Sequence, residues 1–138
     1  MTSRMRTGLA GVAGALSAFL VVAVVEGIGH AIYAPAVMPD MSDPAAVAAF
    51  IRAMPLGAFL FVLAAYVLAT IAGGVIAGLL ARRHGMRLAV IVGALILTAS
   101  VANFVALPHP AWFVAATLAG VPVAAWLTGR AAGRWAPA

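Results

Sequence analysis

The sequence contains no cysteine and no lysine, and it has few charged residues of any kind. The absence of cysteine excludes disulfides and thiolate metal sites, and the absence of lysine excludes a cofactor held as a Schiff base. Charged residues make up 8% of the chain and hydrophobic residues 66%, whereas a soluble domain carries about 25% charged residues. Because so few charges cannot cover a water-facing surface, we expect the chain to lie in a lipid bilayer.

Familiar catalytic motifs are absent as well. The chain has no phosphate-binding P-loop, no HExxH sequence and no nucleophile elbow. Its three acidic residues, Glu26, Asp40 and Asp43, include no pair of carboxylates suited to acid–base catalysis. The sequence therefore does not favour an enzyme, although a metal-dependent one stays open. The net charge of +5 comes from arginines at the ends of apolar runs, which is typical of membrane topology and not of nucleic-acid binding.

Four apolar runs dominate the chain, at about residues 8–33, 56–80, 88–107 and 111–128. Each is close to the ~20 residues that a helix needs to cross a bilayer. A cleavable signal peptide is the rival interpretation of the first run, since Ala34-Pro35-Ala36 resembles a cleavage site, but the run is too long for one. We therefore predict one domain, residues 1–138, folded as an all-α integral membrane antiparallel four-helix bundle.

The arginines predict the orientation of this bundle. Seven of the eight lie at one end of the predicted spans, and Arg52 alone lies at the other, so the positive-inside rule puts both termini in the cytoplasm. The abundance of alanine, glycine and arginine suggests a bacterial inner membrane. The outer loop, residues 34–55, is predicted to contain a short amphipathic helix over 44–54, starting after Ser42 or Asp43 as N-cap. This helix either lies in the membrane interface or covers the neighbouring polar residues.

Small residues recur at helical spacing and predict close contacts between helices. On the first span they share a face with polar residues, namely Gly8, Gly11, Ala15, Ala18, Val22, Glu26, Gly29, His30 and Tyr33. The residues that we expect to mediate helix packing are Gly11, Ala15, Ala18, Gly73, Gly74, Gly78 and Gly93. Besides the lipid bilayer, we expect a partner at such faces, either further copies in a homo-oligomer or a larger membrane complex, and no nucleic acid.

The polar residues gather at the outer end of the predicted bundle. Glu26 and His30 are one helical turn apart on the first span, and an intramembrane carboxylate is a candidate functional group. A proton or substrate site would use Glu26, His30, Tyr33 and Asn103. A divalent metal site would use Glu26, His30 and His109, which suit zinc, iron or copper. Two further interpretations of these polar residues stay open. They recognise a lipid headgroup or a partner helix, or they form a contact that only fixes helix register.

The sequence resembles two known groups of proteins. Glu26-Gly-Ile-Gly-His30-Ala-Ile-Tyr33-Ala-Pro35, followed by Pro108-His109-Pro110-Ala-Trp112, resembles small four-span bacterial membrane proteins of no assigned function, over nearly the whole chain. That resemblance implies only that these outer elements belong together. Four short spans with a glutamate in the first are similar to the small multidrug resistance transporters, but Glu26 lies nearer the outer end and the arginine bias is stronger.

Three functional hypotheses follow from these features. The first is a proton- or cation-coupled transporter or channel that uses Glu26 and His30. The second is a non-catalytic accessory or assembly subunit of a larger membrane complex. The third is a metal-binding membrane protein.

Overall fold

The computed structural model describes residues 2–81 and 84–135 of the chain. Within these ranges it contains five α-helices and no strand: α1 (Ser3–Ile32), α2 (Pro44–Ala53), α3 (Leu56–Ala81), α4 (Gly85–Ala106) and α5 (Ala111–Trp135). All except α2 are long and apolar enough to cross a membrane. The prediction of an all-α protein with four apolar helices that could span a membrane is confirmed at this level. Arg82 and Arg83 lie outside the described residues.

The helix boundaries follow local capping rules. At the start of α1, the Thr2 side chain accepts a hydrogen bond from the Met5 amide at 3.3 Å, so the helix begins at Ser3 and not near residue 8. At the start of α2, the Asp43 side chain accepts from the Ala45 amide at 2.9 Å, and Pro44 occupies the first helical position. Of the two N-caps that the sequence allowed, Asp43 is the one used.

The last helix continues through a proline. Pro122 lies inside α5, which runs to Trp135 and so extends beyond the predicted end at residue 128. Proline removes one backbone hydrogen bond from a helix, but such a loss is tolerated in membrane helices whose neighbours support them. Val121 is fully buried beside Pro122, so the packing of α5 against the other helices continues across this position.

Helix α3 packs against α1, α4 and α5. Gly73 of α3 meets Gly14 of α1 so closely that a Cβ atom built on Gly14 would lie 2.6 Å from the Gly73 carbonyl oxygen. On the other side of α3, a Cβ on Gly74 would lie 2.8 Å from the Thr128 methyl group of α5. Such approaches are possible only without a side chain, as is usual where membrane helices pack.

The buried face of α1 shares Ala18 and Gly29 with the predicted face but is otherwise rotated away from it. The buried residues of this helix are Ala10, Gly14, Ala18 and Gly29, whereas Gly8 is exposed with no neighbouring atom within 4 Å. The helix is rotated towards Ala10 and Gly14 because the Gly14–Gly73 contact lets the two backbones approach there. On α4 the buried residues include Gly93, which the sequence predicts as a packing residue, together with Ala89, Ile96 and Ser100.

The outward surfaces of the four long helices are apolar. Helix α1 exposes a continuous series of large side chains, Leu9, Val12, Leu16, Phe19, Leu20, Val24, Ile28 and Ile32. Exposed leucine, isoleucine and valine side chains also occur on α3, α4 and α5. Water-exposed patches of this extent are rare in soluble proteins, so the surface itself indicates a lipid environment.

Candidate functional site

A cavity of about 440 Å³ lies where the end of α1 meets α2 and the start of α3. We call it the outer-side cavity after the predicted orientation of the chain. Glu26 and His30 of α1 line it together with Tyr33, and α2 contributes Phe50. The remaining lining is mostly apolar and consists of Gly29, Ala34, Pro35, Met38, Ala53, Met54, Pro55, Ala58, Phe61 and Val62. The cavity therefore combines one carboxylate, one imidazole and one phenol with a largely hydrophobic wall, as small-molecule sites commonly do.

Glu26 and His30 reach the same cavity because they are four residues apart on one helix. Glu26 is half-buried and His30 is exposed. Among the side-chain hydrogen bonds of the described residues, none involves either group. Both side chains are therefore free to accept or donate hydrogen bonds to a molecule in the cavity. Glu26 offers a negative charge, and His30 offers a second titratable group one helical turn further along α1.

Aromatic rings shape the wall opposite Glu26. Phe61 of α3 packs beside Gly29, where a Cβ atom would lie only 2.9 Å from the Phe61 Cβ. The rings of Tyr33 and Phe61 meet edge to face with their centroids 5.9 Å apart. Gly57 leaves room for the Tyr33 ring, whose hydroxyl occupies the space that a side chain at position 57 would need. Tyr33 and Phe61 thus form a fixed aromatic part of the wall of the cavity that Glu26 also lines.

The short helix α2 closes one side of the cavity. Val47 and Ile51 are buried, while Phe50 and Met54 are half-buried and line the cavity. The sequence predicts that α2 either lies flat in the membrane interface or covers the polar residues. Its side chains line the cavity, and its position relative to the membrane stays a prediction. Phe50, Met54 and Phe61 were not predicted as site residues, because apolar residues at helical spacing carry no signal that separates a cavity wall from a core.

Asn103 does not line this cavity. Its side-chain amide donates a hydrogen bond of 3.5 Å to the hydroxyl of Tyr66, which is buried on α3. Of the predicted proton or substrate site, the cavity thus joins Glu26, His30 and Tyr33. Asn103 lies outside the cavity and bonds to Tyr66 instead. The sequence showed Tyr66 only as one of several aromatic residues.

The structure does not bring the three predicted metal ligands together. Within residues 2–81 and 84–135, no three histidine, aspartate or glutamate side chains are grouped so that they could hold a metal ion. His109 lies elsewhere, stacked on Phe113 with ring centroids 5.4 Å apart and edge to face with Phe104 at 5.1 Å. Its Nδ1 atom is 2.8 Å from the carbonyl oxygen of Leu107. The turn formed by Pro108 and Pro110 directs His109 into this aromatic cluster and away from Glu26.

The two aspartates of the outer loop have structural partners. Asp40 accepts hydrogen bonds from the Ser42 hydroxyl at 2.7 Å and from the Ser42 amide at 2.9 Å. These bonds favour the charged carboxylate, so they lower the pKa of Asp40 below its ordinary value. Asp43 caps α2. Glu26 is therefore the one acidic residue of the chain that lines the cavity.

Comparison with known proteins gives no relative for this chain: it matches no protein-family model, no curated protein and no solved structure.

Proposed function

We propose that the protein binds a small cation with an apolar body in the outer-side cavity, in exchange with a proton on Glu26, and works as a proton- or cation-coupled transporter or channel. The observation that carries this proposal is the joining of Glu26 and His30 in one cavity of about 440 Å³ whose wall is otherwise mostly apolar. A carboxylate within an apolar wall favours a positively charged ligand with an apolar body. The carboxylate attracts the charge, and the apolar wall packs against the body.

The proposal includes a topology with four antiparallel spans, both termini in the cytoplasm of a bacterium and α2 on the outer side of the inner membrane. Two observations support it. Arg4, Arg6 and Arg87 line one cleft, as the positive-inside rule requires of the cytoplasmic end. Contacts between α1 and α3 pair Gly14 with Gly73 and Gly29 with Phe61, in opposite order along the two helices.

The absence of cysteine makes the topology testable by labelling single introduced thiols. We would compare Thr2→Cys with Ser42→Cys in intact cells, using a maleimide that does not cross the inner membrane. We expect Ser42→Cys to react from outside and Thr2→Cys to react only after lysis. Labelling of Thr2→Cys in intact cells would contradict the proposed orientation.

Binding is tested with tetrabutylammonium as the probe and isothermal titration calorimetry as the measurement. Glu26→Gln removes the charge with little change of shape, and we expect it to weaken binding about tenfold or more, as in other sites where a buried charge loses its partner. Asp40→Asn is the matched control, because it removes an acidic charge from the exposed outer loop. Tetramethylammonium carries the same charge on a smaller apolar body, so it should bind more weakly than tetrabutylammonium.

Two results would contradict the proposal. One is equal binding of tetrabutylammonium by the wild type and by folded Glu26→Gln. The other is an equal loss of binding in Asp40→Asn, since that would mean a general effect of charge on the outer surface. Circular dichroism of each variant shows that its helices are intact before its binding is interpreted.

A second candidate function is an accessory subunit, and the exposed apolar face of α1 favours it. This face, from Leu9 to Ile32, covers no other helix of the described chain, so another protein or a second copy can pack there as well as lipid can. The small residues Gly73, Gly74 and Gly93 are already covered within the chain. An accessory subunit would purify with a stoichiometric partner in mild detergent, and Leu16→Arg on α1 would release it; tetrabutylammonium binding would then be absent.

A further inference from the structure

A second cavity lies at the other end of the structure and has a different character. This arginine cleft has a volume of about 370 Å³ and is formed by the start of α1, the end of α3 and the start of α4. Its lining includes Arg4, Arg6, His84, Arg87, Leu88 and Ile91. Three guanidinium groups thus surround one concave site at the end of the membrane-crossing helices.

The positive charge of the arginine cleft has no acidic counterpart in its lining. The chain has only three acidic residues, and all lie elsewhere: Glu26 in the outer-side cavity, Asp40 and Asp43 in the outer loop. Three arginines that converge without a carboxylate repel one another. An anion from outside the chain would relieve this repulsion and could bind more than one guanidinium group at once.

Arg6 gives a second and independent indication of a ligand. Its side chain is half-buried, and its Nε atom is buried without a hydrogen-bond acceptor among the described residues. A buried donor that lacks a partner is unfavourable. Because the Nε atom itself is closed off, a phosphate in the cleft would bind the terminal nitrogens of Arg6, and its charge would offset the cost of burying part of this guanidinium group.

The apolar part of the cleft identifies the kind of anion. Leu88 is buried and Ile91 is exposed along the first turns of α4, so an apolar wall continues from the arginines towards the middle of the spans. A free phosphate ion would use only the arginines. A phospholipid would place its phosphate at the arginines and its acyl chain along Leu88 and Ile91, and anionic headgroups favour basic clefts at this membrane depth.

We propose that the arginine cleft is a binding site for an anionic phospholipid, whose phosphate is held by Arg4, Arg6 and Arg87. This site is separate from the outer-side cavity, and it does not depend on what that cavity binds. Bound lipid would join the start of α1 to the start of α4.

The test measures lipid binding to the delipidated full-length protein by native mass spectrometry in a nonionic detergent. Phosphatidylglycerol is compared with phosphatidylcholine of the same acyl chains and with inorganic phosphate. We expect Arg6→Gln and Arg87→Gln each to weaken phosphatidylglycerol binding about fivefold, as for one arginine close to an anionic headgroup. Arg134→Gln is the matched control, because Arg134 is exposed near the end of α5 and does not line the cleft.

Several results would overturn the proposal. Equal affinity for phosphatidylglycerol and phosphatidylcholine would mean that the headgroup charge is not recognised. An equal loss in Arg134→Gln would mean a general surface effect, and equal affinity for inorganic phosphate would make the cleft a site for a free anion. If the cleft variants do not fold, the salt dependence of wild-type binding decides: phosphatidylglycerol affinity must fall as sodium chloride rises, and an affinity independent of salt refutes the site.

Discussion

Replacement of Gly14 by alanine should push α1 away from α3 and destabilise the protein. The new Cβ atom would lie 2.6 Å from the Gly73 carbonyl oxygen and 2.7 Å from the Ala77 Cβ, whereas ordinary contacts begin at 3.4 Å. Neither neighbour is the flexible end of a side chain, so the helices themselves must separate by about 0.8 Å, and a gap of ~0.5–1 Å forfeits roughly a quarter to a half of each dispersion contact.

The net magnitude follows from two opposing effects. Overpacking costs about 1–3 kcal/mol, while alanine is a better helix former than glycine by roughly 0.5–1 kcal/mol. We therefore expect Gly14→Ala to lower the free energy of unfolding by about 1–2 kcal/mol. Gly27→Ala is the matched control on the same helix, because Gly27 is exposed and has no neighbouring atom within 4 Å. It should be neutral or slightly stabilising.

The assay is unfolding in mixed micelles with rising sodium dodecyl sulfate, followed by far-ultraviolet circular dichroism. Both variants add one methyl group to α1, so the comparison rests on the sign of the change in the free energy of unfolding. We expect that sign to differ between Gly14→Ala and Gly27→Ala. A Gly14→Ala protein as stable as Gly27→Ala would show that α1 does not meet α3 through Gly14, and the rotation assigned to α1 would then be wrong.

Two further predictions concern buried hydroxyls and the outer loop. The Thr117 hydroxyl is buried without a hydrogen-bond partner among the described residues, whereas the Thr70 hydroxyl donates to the Tyr66 carbonyl oxygen at 2.8 Å. In the same unfolding assay Thr117→Val should therefore be stabilising by ~1 kcal/mol and Thr70→Val destabilising by a similar amount; two changes of the same sign would contradict this. Ser42→Ala removes the hydroxyl that donates to Asp40 and leaves the amide of residue 42 in place, so it should raise the pKa of Asp40 towards its ordinary value in an NMR titration. Because the folded pKa is the lower one, these bonds stabilise the fold above the ordinary pKa of aspartate and lose that effect as the pH falls through the lowered pKa. An unchanged Asp40 pKa in Ser42→Ala would refute the role given to Ser42.

Much of the fold is readable from the sequence because a bilayer imposes strong local requirements. Apolar runs of the length of 56–80 can only be helices in lipid, where each backbone group needs a partner within its own segment. Pro44 after Asp43 marks the start of α2 in the same local way. The buried face of α4 also follows from spacing, since small and polar residues such as Gly93 and Ser100 recur on one side.

The rotation of α1 is not readable in this manner. Glycine and alanine occur on more than one side of α1, and the contact of Gly14 with Gly73 depends on a residue 59 positions away in the chain. The predicted face of α1, which contains Glu26 and His30, therefore shares only some of its residues with the buried face.

For a related reason, only part of the candidate site could be predicted from the sequence. Glu26 and His30 share a cavity because i and i+4 positions are neighbours on any helix. The position of His109 depends on packing against Phe59, which lies 50 positions earlier in the chain, and a sequence pattern does not reveal such a contact. The same holds for Asn103, whose partner Tyr66 lies on another helix.

Proton release upon cation binding tests the central proposal most directly. Tetrabutylammonium is added to the purified protein in weak buffer, and the released protons are counted with a pH indicator over a range of pH. If the cation replaces a proton on Glu26, the wild type releases up to one proton per bound cation in the pH range where Glu26 titrates, and Glu26→Gln releases none. Binding without proton release at every pH, or equal release by Glu26→Gln, would contradict the exchange of a cation for a proton at Glu26.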